Sequence, residues 1–229
     1  MNKLWKCYAQ CVKGKRHQEK NMLCQDRVAY QQKGNRQAIV LIDGIGSTDR
    51  NIIAGERVAE YIAGFFLDQF EEIMTGNEAE IKFQLMRQVR RIIEALTIEY
   101  KCSEQEFGST VMAVCICHDS KQYCGIHLGD GIITYKDSVL HVMSYPLNGL
   151  DAKQTCLTIS ETAMNKMKLF RGNIGDTTQY ILMSDGMYSY PVHRQELERI
   201  IDSMKGEGMI AAKEDDRSII GLACEENSV

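Results

Sequence analysis

The sequence lacks the features that mark several large classes of protein. Only two of its 229 residues are proline, so proline-rich linkers are absent. No run of apolar residues reaches the roughly 20 that a membrane-spanning helix needs, and the N-terminal residues lack the apolar stretch of a secretory signal peptide. The formal net charge of −4 leaves no excess of basic residues for a nucleic-acid face. We therefore expect a cytoplasmic protein that binds neither a membrane nor nucleic acid.

The nine cysteines show no spacing typical of a zinc site. No C-x-x-C pair occurs, and Cys115 and Cys117 would share one face of a strand. Because cysteine packs as a small apolar side chain, we interpret these two as core residues. Unpaired thiols suit a reducing compartment. The chain is long enough to bury a core, either as one large domain or as two small ones.

Apolar periodicity predicts strands, two long helices, several strands, one helix and a final strand. Predicted strands at 5–12, 26–31 and 37–42 precede amphipathic helices at 51–74 and 79–100. A short turn joins these helices, so they should lie antiparallel. Segment 162–172 is compatible with either helix or strand. The remaining predictions are strands within 109–119, 121–130, 131–144, 179–184 and 217–224, a loop at 145–154 and a helix at 193–205.

Acidic residues stand at the ends of several apolar runs. Asp43 and Asp185 each close a strand-like run and are each followed by glycine, while Asp26 and the pair Asp215 and Asp216 flank two others. Taken singly, each is more simply a turn residue. Carboxylates that converge repel one another and need a cation, and an oxygen-only ligand set favours Mg²⁺ or Mn²⁺. Together they predict a two-metal site, which would lower the pKa of a bridging water.

The order of these motifs resembles that of the PP2C-type, metal-dependent serine/threonine protein phosphatases. The matching segments are CQDRVAY, LIDGIGST, FGSTVMAVCI, HLGDGIITY, LMSDGMYSY and DDRSIIGL. The stretch GKRHQEKNMLCQD in particular resembles a bacterial branch of that family. The resemblance implies an α+β fold in which residues 1–229 form a single domain. That domain would be a four-layer αββα sandwich of two antiparallel sheets flanked by helices.

The resemblance also implies a metal centre with two Mn²⁺ or Mg²⁺ ions and a third, weaker site. Its ligands would be Asp26 (largely through water), Asp43, Gly44 (through its carbonyl), Asp130, Asp185 and Asp215. Asp43 would bridge the two ions and is, with Asp185, the expected catalytic residue. Asp130 would serve the third ion, although it is almost as readily a hairpin residue. Asp215 is preferred to Asp216 because Asp216 stands at an asparagine position of the family.

Three positions depart from the family pattern. Asn21 stands where an arginine clamps the substrate phosphate, so the phosphate loses a bidentate partner. Ile45 stands where many eukaryotic members carry a histidine proposed as general acid, and Ser189 stands where a further aspartate often contributes. Lys20, Arg16, Arg27 and His17 could each replace the arginine, and His17 and Lys20 are the expected substrate-binding residues. His17 taken alone is more simply a structural or surface residue.

The predicted function is hydrolysis of phosphoserine or phosphothreonine in proteins by a water that two metal ions activate. The resemblance implies a phosphoprotein substrate and allows an opposing serine/threonine kinase as partner. Two alternatives stay open. Asn21 and Ile45 favour a non-catalytic sensor or binding module with the same fold. A different dinuclear hydrolase would cleave a non-protein phosphoester. The presence of every carboxylate of the two-metal core favours the enzyme.

Overall fold

Two five-stranded antiparallel sheets form the centre of the fold. The computed structural model describes residues 4–45, 49–146, 155–189, 191–204 and 211–225. The strands are β1 (Leu4–Val12), β2 (Arg27–Lys33), β3 (Arg36–Ile42), β4 (Val111–Cys117), β5 (Gln122–Leu128), β6 (Ile132–Lys136), β7 (Leu140–Ser144), β8 (Lys168–Asn173), β9 (Gln179–Met183) and β10 (Arg217–Glu225). The first sheet has the order β1-β10-β9-β6-β7, and the second has the order β2-β3-β4-β5-β8.

Helices cover the outer face of each sheet. They are α1 (Lys15–Glu19), α2 (Arg50–Asp68), α3 (Phe70–Thr75), α4 (Glu78–Tyr100), α5 (Ala163–Lys166) and α6 (Arg194–Met204). Helices α2 and α4 pack on the second sheet, and α6 packs on the first. The expected α+β sandwich with four layers is therefore confirmed. Across the described residues, no helix is both long enough and apolar enough to cross a membrane.

Alternation along the strands divides the core into layers. Ile39 and Leu41 of β3 pack between the two sheets. Their neighbours Ala38, Val40 and Ile42 point to the opposite face and pack against the helices. Because both faces of β3 are covered, the strand can be apolar along almost its whole length. This is the apolar run that leads directly to Asp43.

Most of the elements expected from periodicity are present in the structure. The early strand, the hairpin β2–β3, the helix pair, the hairpin β6–β7, α6 and the last strand all form. The segment 162–172, which the sequence left open, contains both the short helix α5 and most of β8. The helix expected at 51–74 is interrupted at Gln69, where it divides into α2 and α3. Most of the predicted loop at 145–154 lies outside the described residues.

Sequence periodicity missed one helix, and the cysteines form no disulfides. Helix α1 has five residues and buries none of them, so it leaves no apolar periodicity in the sequence. None of the nine cysteines forms a disulfide. Cys115 and Cys117 are buried in β4, where they pack in the core beneath the helices.

Two phenylalanines on neighbouring helices offer a matched test of this packing. Phe66 is 1% exposed in α2, whereas Phe83 is 53% exposed in α4. Phe66→Ala leaves a cavity in the core, so it should lower the free energy of unfolding by about 3–5 kcal/mol. Phe83→Ala should change it by no more than about 0.5 kcal/mol. Urea unfolding measures both variants, and equal losses would contradict the packing of α2 against the second sheet.

Candidate metal centre

Three aspartates meet at one end of the sandwich. Asp43 directly follows β3, Asp130 follows β5 after a single glycine, and Asp185 follows β9 after a single serine. One carboxylate oxygen from each lies within 4.8 Å of the others. Strands β3 and β5 belong to the second sheet and β9 to the first, so both sheets contribute to the cluster. The two similar strand ends in the sequence therefore do converge, and Asp130 joins them.

The electrostatics of this triad favour a bound cation. Burial, together with repulsion from the neighbouring carboxylates of Asp130, Asp215 and Asp26, raises the pKa of Asp185 from 3.8 to about 7. Burial and the same kind of repulsion raise the pKa of Asp43 well above its ordinary value. A divalent cation would offset this repulsion. Because the donors are carboxylate oxygens, the set suits a hard ion such as Mg²⁺ or Mn²⁺.

Asp26 lies beside the triad and not within it. Its side chain is 1% exposed, and among the described residues neither carboxylate oxygen has a partner with hydrogen-bond geometry. Burial and repulsion from nearby Asp216 raise its pKa to about 6, although the hydroxyls of Ser218 and Ser184 lower it in part. A buried carboxylate without satisfied oxygens requires a cation or ordered water. Asp26 therefore adds a carboxylate beside Asp43 that a cation could bind.

The adjacent residues Asp215 and Asp216 face different surroundings. Asp215 is exposed, lies close enough to raise the pKa of Asp43 and Asp185, and accepts a hydrogen bond from the Asp216 N–H at 2.9 Å. Asp216 is buried and accepts hydrogen bonds from the N–H groups of Gly14, at 2.7 Å, and Gln25, at 2.6 Å. Of this pair, Asp215 is thus the member near the triad. Asp216 instead binds the segment that precedes β2.

Backbone contacts hold the loop that carries Asp43 and Gly44. Gly44 forms an isolated antiparallel bridge with Ser109. The fully buried Asn51, in the first turn of α2, donates its amide to the carbonyls of Ile45 and Gly108, the latter at 3.3 Å. A β-carbon at position 44 would lie 2.7 Å from the amide nitrogen of Asn51. Glycine at this position therefore allows the start of α2 to close over the loop.

Arg217 connects the two acidic segments of the first sheet. Its guanidinium donates to the carbonyl of Gly186 at 3.0 Å, to that of Met187 at 3.2 Å and to that of Ala211 at 2.5 Å. All three acceptors are backbone carbonyls. In these bonds the Arg217 guanidinium binds the backbone, including the turn after Asp185, and no carboxylate of the triad. The residue fixes this turn against the segment that carries Asp215.

Two hydroxyl groups fix Asp130. The Tyr188 hydroxyl donates to the backbone carbonyl of Asp130, and the Thr155 hydroxyl donates to one carboxylate oxygen of Asp130 at 2.6 Å. Sequence reasoning missed Tyr188, Thr155, Asn51 and Arg217, because most of their acceptors are backbone carbonyls and none of these bonds leaves a local pattern.

The expected substrate-binding residues lie on or next to α1. His17 Nδ1 is 2.9 Å from a carboxylate oxygen of Asp216, and the His17 side chain is 19% exposed. Lys20 follows the helix and is exposed. His17 therefore lies beside Asp216, the residue that follows Asp215. Lys20 lies on the surface.

Comparison with known proteins gives the family. Residues 13–216 match the family model for protein phosphatase 2C. The chain belongs to the protein phosphatase 2C family. No curated protein matches the sequence. The matched range includes every residue proposed above as a ligand.

Solved structures of bacterial phosphatases share the fold. The serine/threonine phosphatase of S. agalactiae superposes with a TM-score of 0.66 at 14% identity, over 97% of this chain and all of the other. Stp1 from Staphylococcus aureus gives 0.61 at 14%, covering 99% of this chain and 97% of Stp1. RsbX in complex with magnesium gives 0.60 at 13%, covering 96% of both chains. At such identities the likeness establishes the fold alone.

The raised pKa values predict how metal and pH together control stability. An aspartate with a raised pKa in the folded state contributes stability below its unfolded pKa, and this is lost as the pH rises through the folded pKa. Asp26 and Asp185 shift from 3.8 to about 6 and about 7. Without metal, the free energy of unfolding should therefore fall between about pH 4 and pH 7.

Urea unfolding in chelator and in excess Mn²⁺, repeated at several pH values, measures this effect. Mn²⁺ should stabilise the protein strongly at neutral pH and much less near pH 5, where the carboxylates hold protons. A stabilisation by Mn²⁺ that is independent of pH would contradict the assignment of the cation to these aspartates.

Gly186 allows the turn after Asp185 to approach the segment of Asp215. A β-carbon there would overlap the backbone carbonyl of Asp216. Gly186→Ala should therefore separate the two segments and weaken Mn²⁺ binding by about 10–100-fold, the range typical of lost support around a metal site. Gly64→Ala in α2 is the control, since its β-carbon would meet only ordinary contacts. Calorimetric titration measures both variants, and equal affinities would refute this role of Gly186.

Proposed function

We propose that the chain is a metal-dependent phosphatase that hydrolyses phosphoserine and phosphothreonine in proteins. The observation that carries this proposal is the convergence of Asp43, Asp130 and Asp185 in a member of the protein phosphatase 2C family. Asp26 and Asp215 lie close enough to alter the pKa values of triad members. An inactive relative would be expected to have lost at least one of these five carboxylates.

The proposed ligands are divided between two Mn²⁺ or Mg²⁺ ions, with a third ion held more weakly. Asp43 would serve both principal ions, Asp185 and Asp215 would hold one of them, and Asp26 and the Gly44 carbonyl would hold the other. Asp130 would hold the third. When bound, such ions neutralise the charge on the phosphoryl group and supply a nucleophilic water at neutral pH.

The protein's own contribution is positioning and charge. Because strands from both sheets fix their backbones, Asp43 and Asp185 would hold the ions in fixed positions for the reacting phosphate. His17 and Lys20 are proposed to bind the phosphate. Position 45 carries isoleucine, which offers no proton to the leaving hydroxyl of serine or threonine. A phosphoprotein made by an opposing serine/threonine kinase in the cytoplasm is the proposed substrate.

The second candidate is a binding module that holds metal and phosphorylated protein without turnover. Asn21 supports it, since the residue at the position of the phosphate-clamping arginine carries no charge. A folded, metal-bound protein without activity would establish this function in place of catalysis.

The test is hydrolysis of p-nitrophenyl phosphate and of a phosphothreonine peptide with Mn²⁺, with Mg²⁺ and with chelator. Wild type should be active with metal and inactive in chelator, and should prefer the peptide. Asp43→Asn should be inactive in all conditions. Folded wild type without activity on either substrate would overturn the proposed function.

Asp185→Asn separates catalysis from folding. It should reduce metal-dependent turnover by more than about 100-fold, since even lost support around a metal site costs that much. The metal-free variant should unfold at the same or higher urea concentration than wild type at neutral pH, because like-charge repulsion is relieved. Asp176→Asn, at an exposed aspartate before the other end of β9, is the control. A nearly normal rate for Asp185→Asn would exclude Asp185 as a ligand.

A further inference from the structure

Asp216 is a buried carboxylate outside the proposed set of metal ligands. It is 4% exposed, and all three of its polar contacts outside its own segment come from residues 14–25. One oxygen accepts the Gly14 N–H and lies 2.9 Å from His17 Nδ1, while the other accepts the Gln25 N–H. Both oxygens are therefore engaged, and both bind the same short stretch of chain.

This arrangement requires an aspartate. The asparagine that the family carries at position 216 could accept with its single oxygen only. Its amide would then face either the Gln25 N–H or the Gly14 N–H, and two donors would oppose each other. The charge of Asp216 instead meets two N–H donors and an imidazole, an arrangement that favours strong hydrogen bonds.

Helix α1 is fixed to the segment that carries Asp215 and Asp216. Lys15 N–H donates to the carbonyl of Lys213 at 2.8 Å, and Arg16 N–H donates to that of Glu214 at 3.2 Å. A β-carbon on the buried Gly14 would lie 2.7 Å from the backbone nitrogen of Asp216. The chain thus brings His17 next to the acidic segment through backbone bonds as well as through Asp216.

The same geometry explains why position 21 is asparagine. Asn21 has a φ of 54°, a left-handed conformation that asparagine adopts more readily than arginine. Its N–H donates to the carbonyl of Gln18, and the Met22 N–H donates to that of His17, so the helix ends there. Position 21 therefore turns the chain after α1. The phosphate-binding function of the family's arginine has to come from another residue.

We propose that Asp216 is a positioning residue that holds His17 as the phosphate-binding group of this site. His17 Nδ1 lies 2.9 Å from a carboxylate oxygen of Asp216, in close polar contact but without the angle of a hydrogen bond. Nε2 lies on the other side of the imidazole ring, and the His17 side chain keeps 19% of its surface exposed. Asp216 thus orients the ring and keeps Nε2 available for a phosphate oxygen. This inference rests on the proposed function for the identity of the ligand. It identifies His17 as the residue that replaces the family's arginine.

The experiment uses the full chain loaded with Mg²⁺ and two readouts. One is calorimetric titration with inorganic phosphate, which needs no turnover. The other is the steady-state hydrolysis of p-nitrophenyl phosphate, with kcat and KM determined separately. His17→Gln should weaken phosphate binding and raise KM by roughly tenfold, the loss expected for one charge-assisted hydrogen bond, and should change kcat less.

Asp216→Asn should reproduce these changes, and the double variant should be no worse than either single variant, because the two residues act as a unit. If Asp216→Asn fails to fold, His17→Gln still tests the proposal, since no residue of α1, His17 included, is buried. Mg²⁺ affinity should be unchanged in His17→Gln. A merely structural role would alter metal binding and phosphate binding together.

The surface pair His141 and Asp137 is the matched control. His141 Nε2 is 3.1 Å from both carboxylate oxygens of Asp137, in a hairpin of the first sheet. His141→Gln and Asp137→Asn should leave phosphate affinity and KM unchanged.

The outcomes separate this inference from the proposed function. Unchanged phosphate affinity and KM in His17→Gln, with an active wild type, would overturn the role of Asp216 and His17 alone. Wild type that binds phosphate through His17 but hydrolyses nothing would overturn the proposed function alone. Wild type with no affinity for phosphate would overturn the inference whatever its activity.

Discussion

The carboxylates of Asp43, Asp130 and Asp185 repel one another, and the fold holds them together nonetheless. Each follows the end of a strand whose neighbours are buried in the sandwich, so the backbone cannot move the charges apart without disturbing the core. Burial adds to the cost by disfavouring the charged forms. The most direct relief is a divalent cation, and the free energy of its binding would become part of the stability of the folded state.

Neutral groups and backbone atoms support this end of the sandwich. Tyr188 and Thr155 offer hydroxyls to Asp130, and Asn51 binds backbone carbonyls near Asp43. The one buried guanidinium described above, that of Arg217, also binds carbonyls. None of these contacts neutralises the triad, so its charge stays available to a cation. A lysine or arginine paired with a triad carboxylate would stabilise the protein but compete with metal.

The sequence predicts the triad better than it predicts the contacts around it. Asp43 and Asp185 could be recognised because apolar runs followed by Asp-Gly recur in one chain. Strand ends converge whenever two sheets pack face to face. The role of Asp216 could not be predicted in the same way, since it binds backbone N–H groups about 190–200 residues away in sequence. Helix α1 is too short to leave a helical periodicity in the sequence. The asparagine at position 21 in place of an arginine is explained by its positive φ angle, which the sequence does not show.

The central claim is that these carboxylates hold two divalent cations. A crystal structure of the Mn²⁺-loaded protein, with data collected at the manganese absorption edge, tests it directly. The account predicts two strong anomalous peaks about 3.5–4 Å apart, the usual separation in two-metal sites, with the Asp43 carboxylate between them. Peaks elsewhere on the molecule, or none within reach of Asp43 and Asp185 at saturating Mn²⁺, would contradict it.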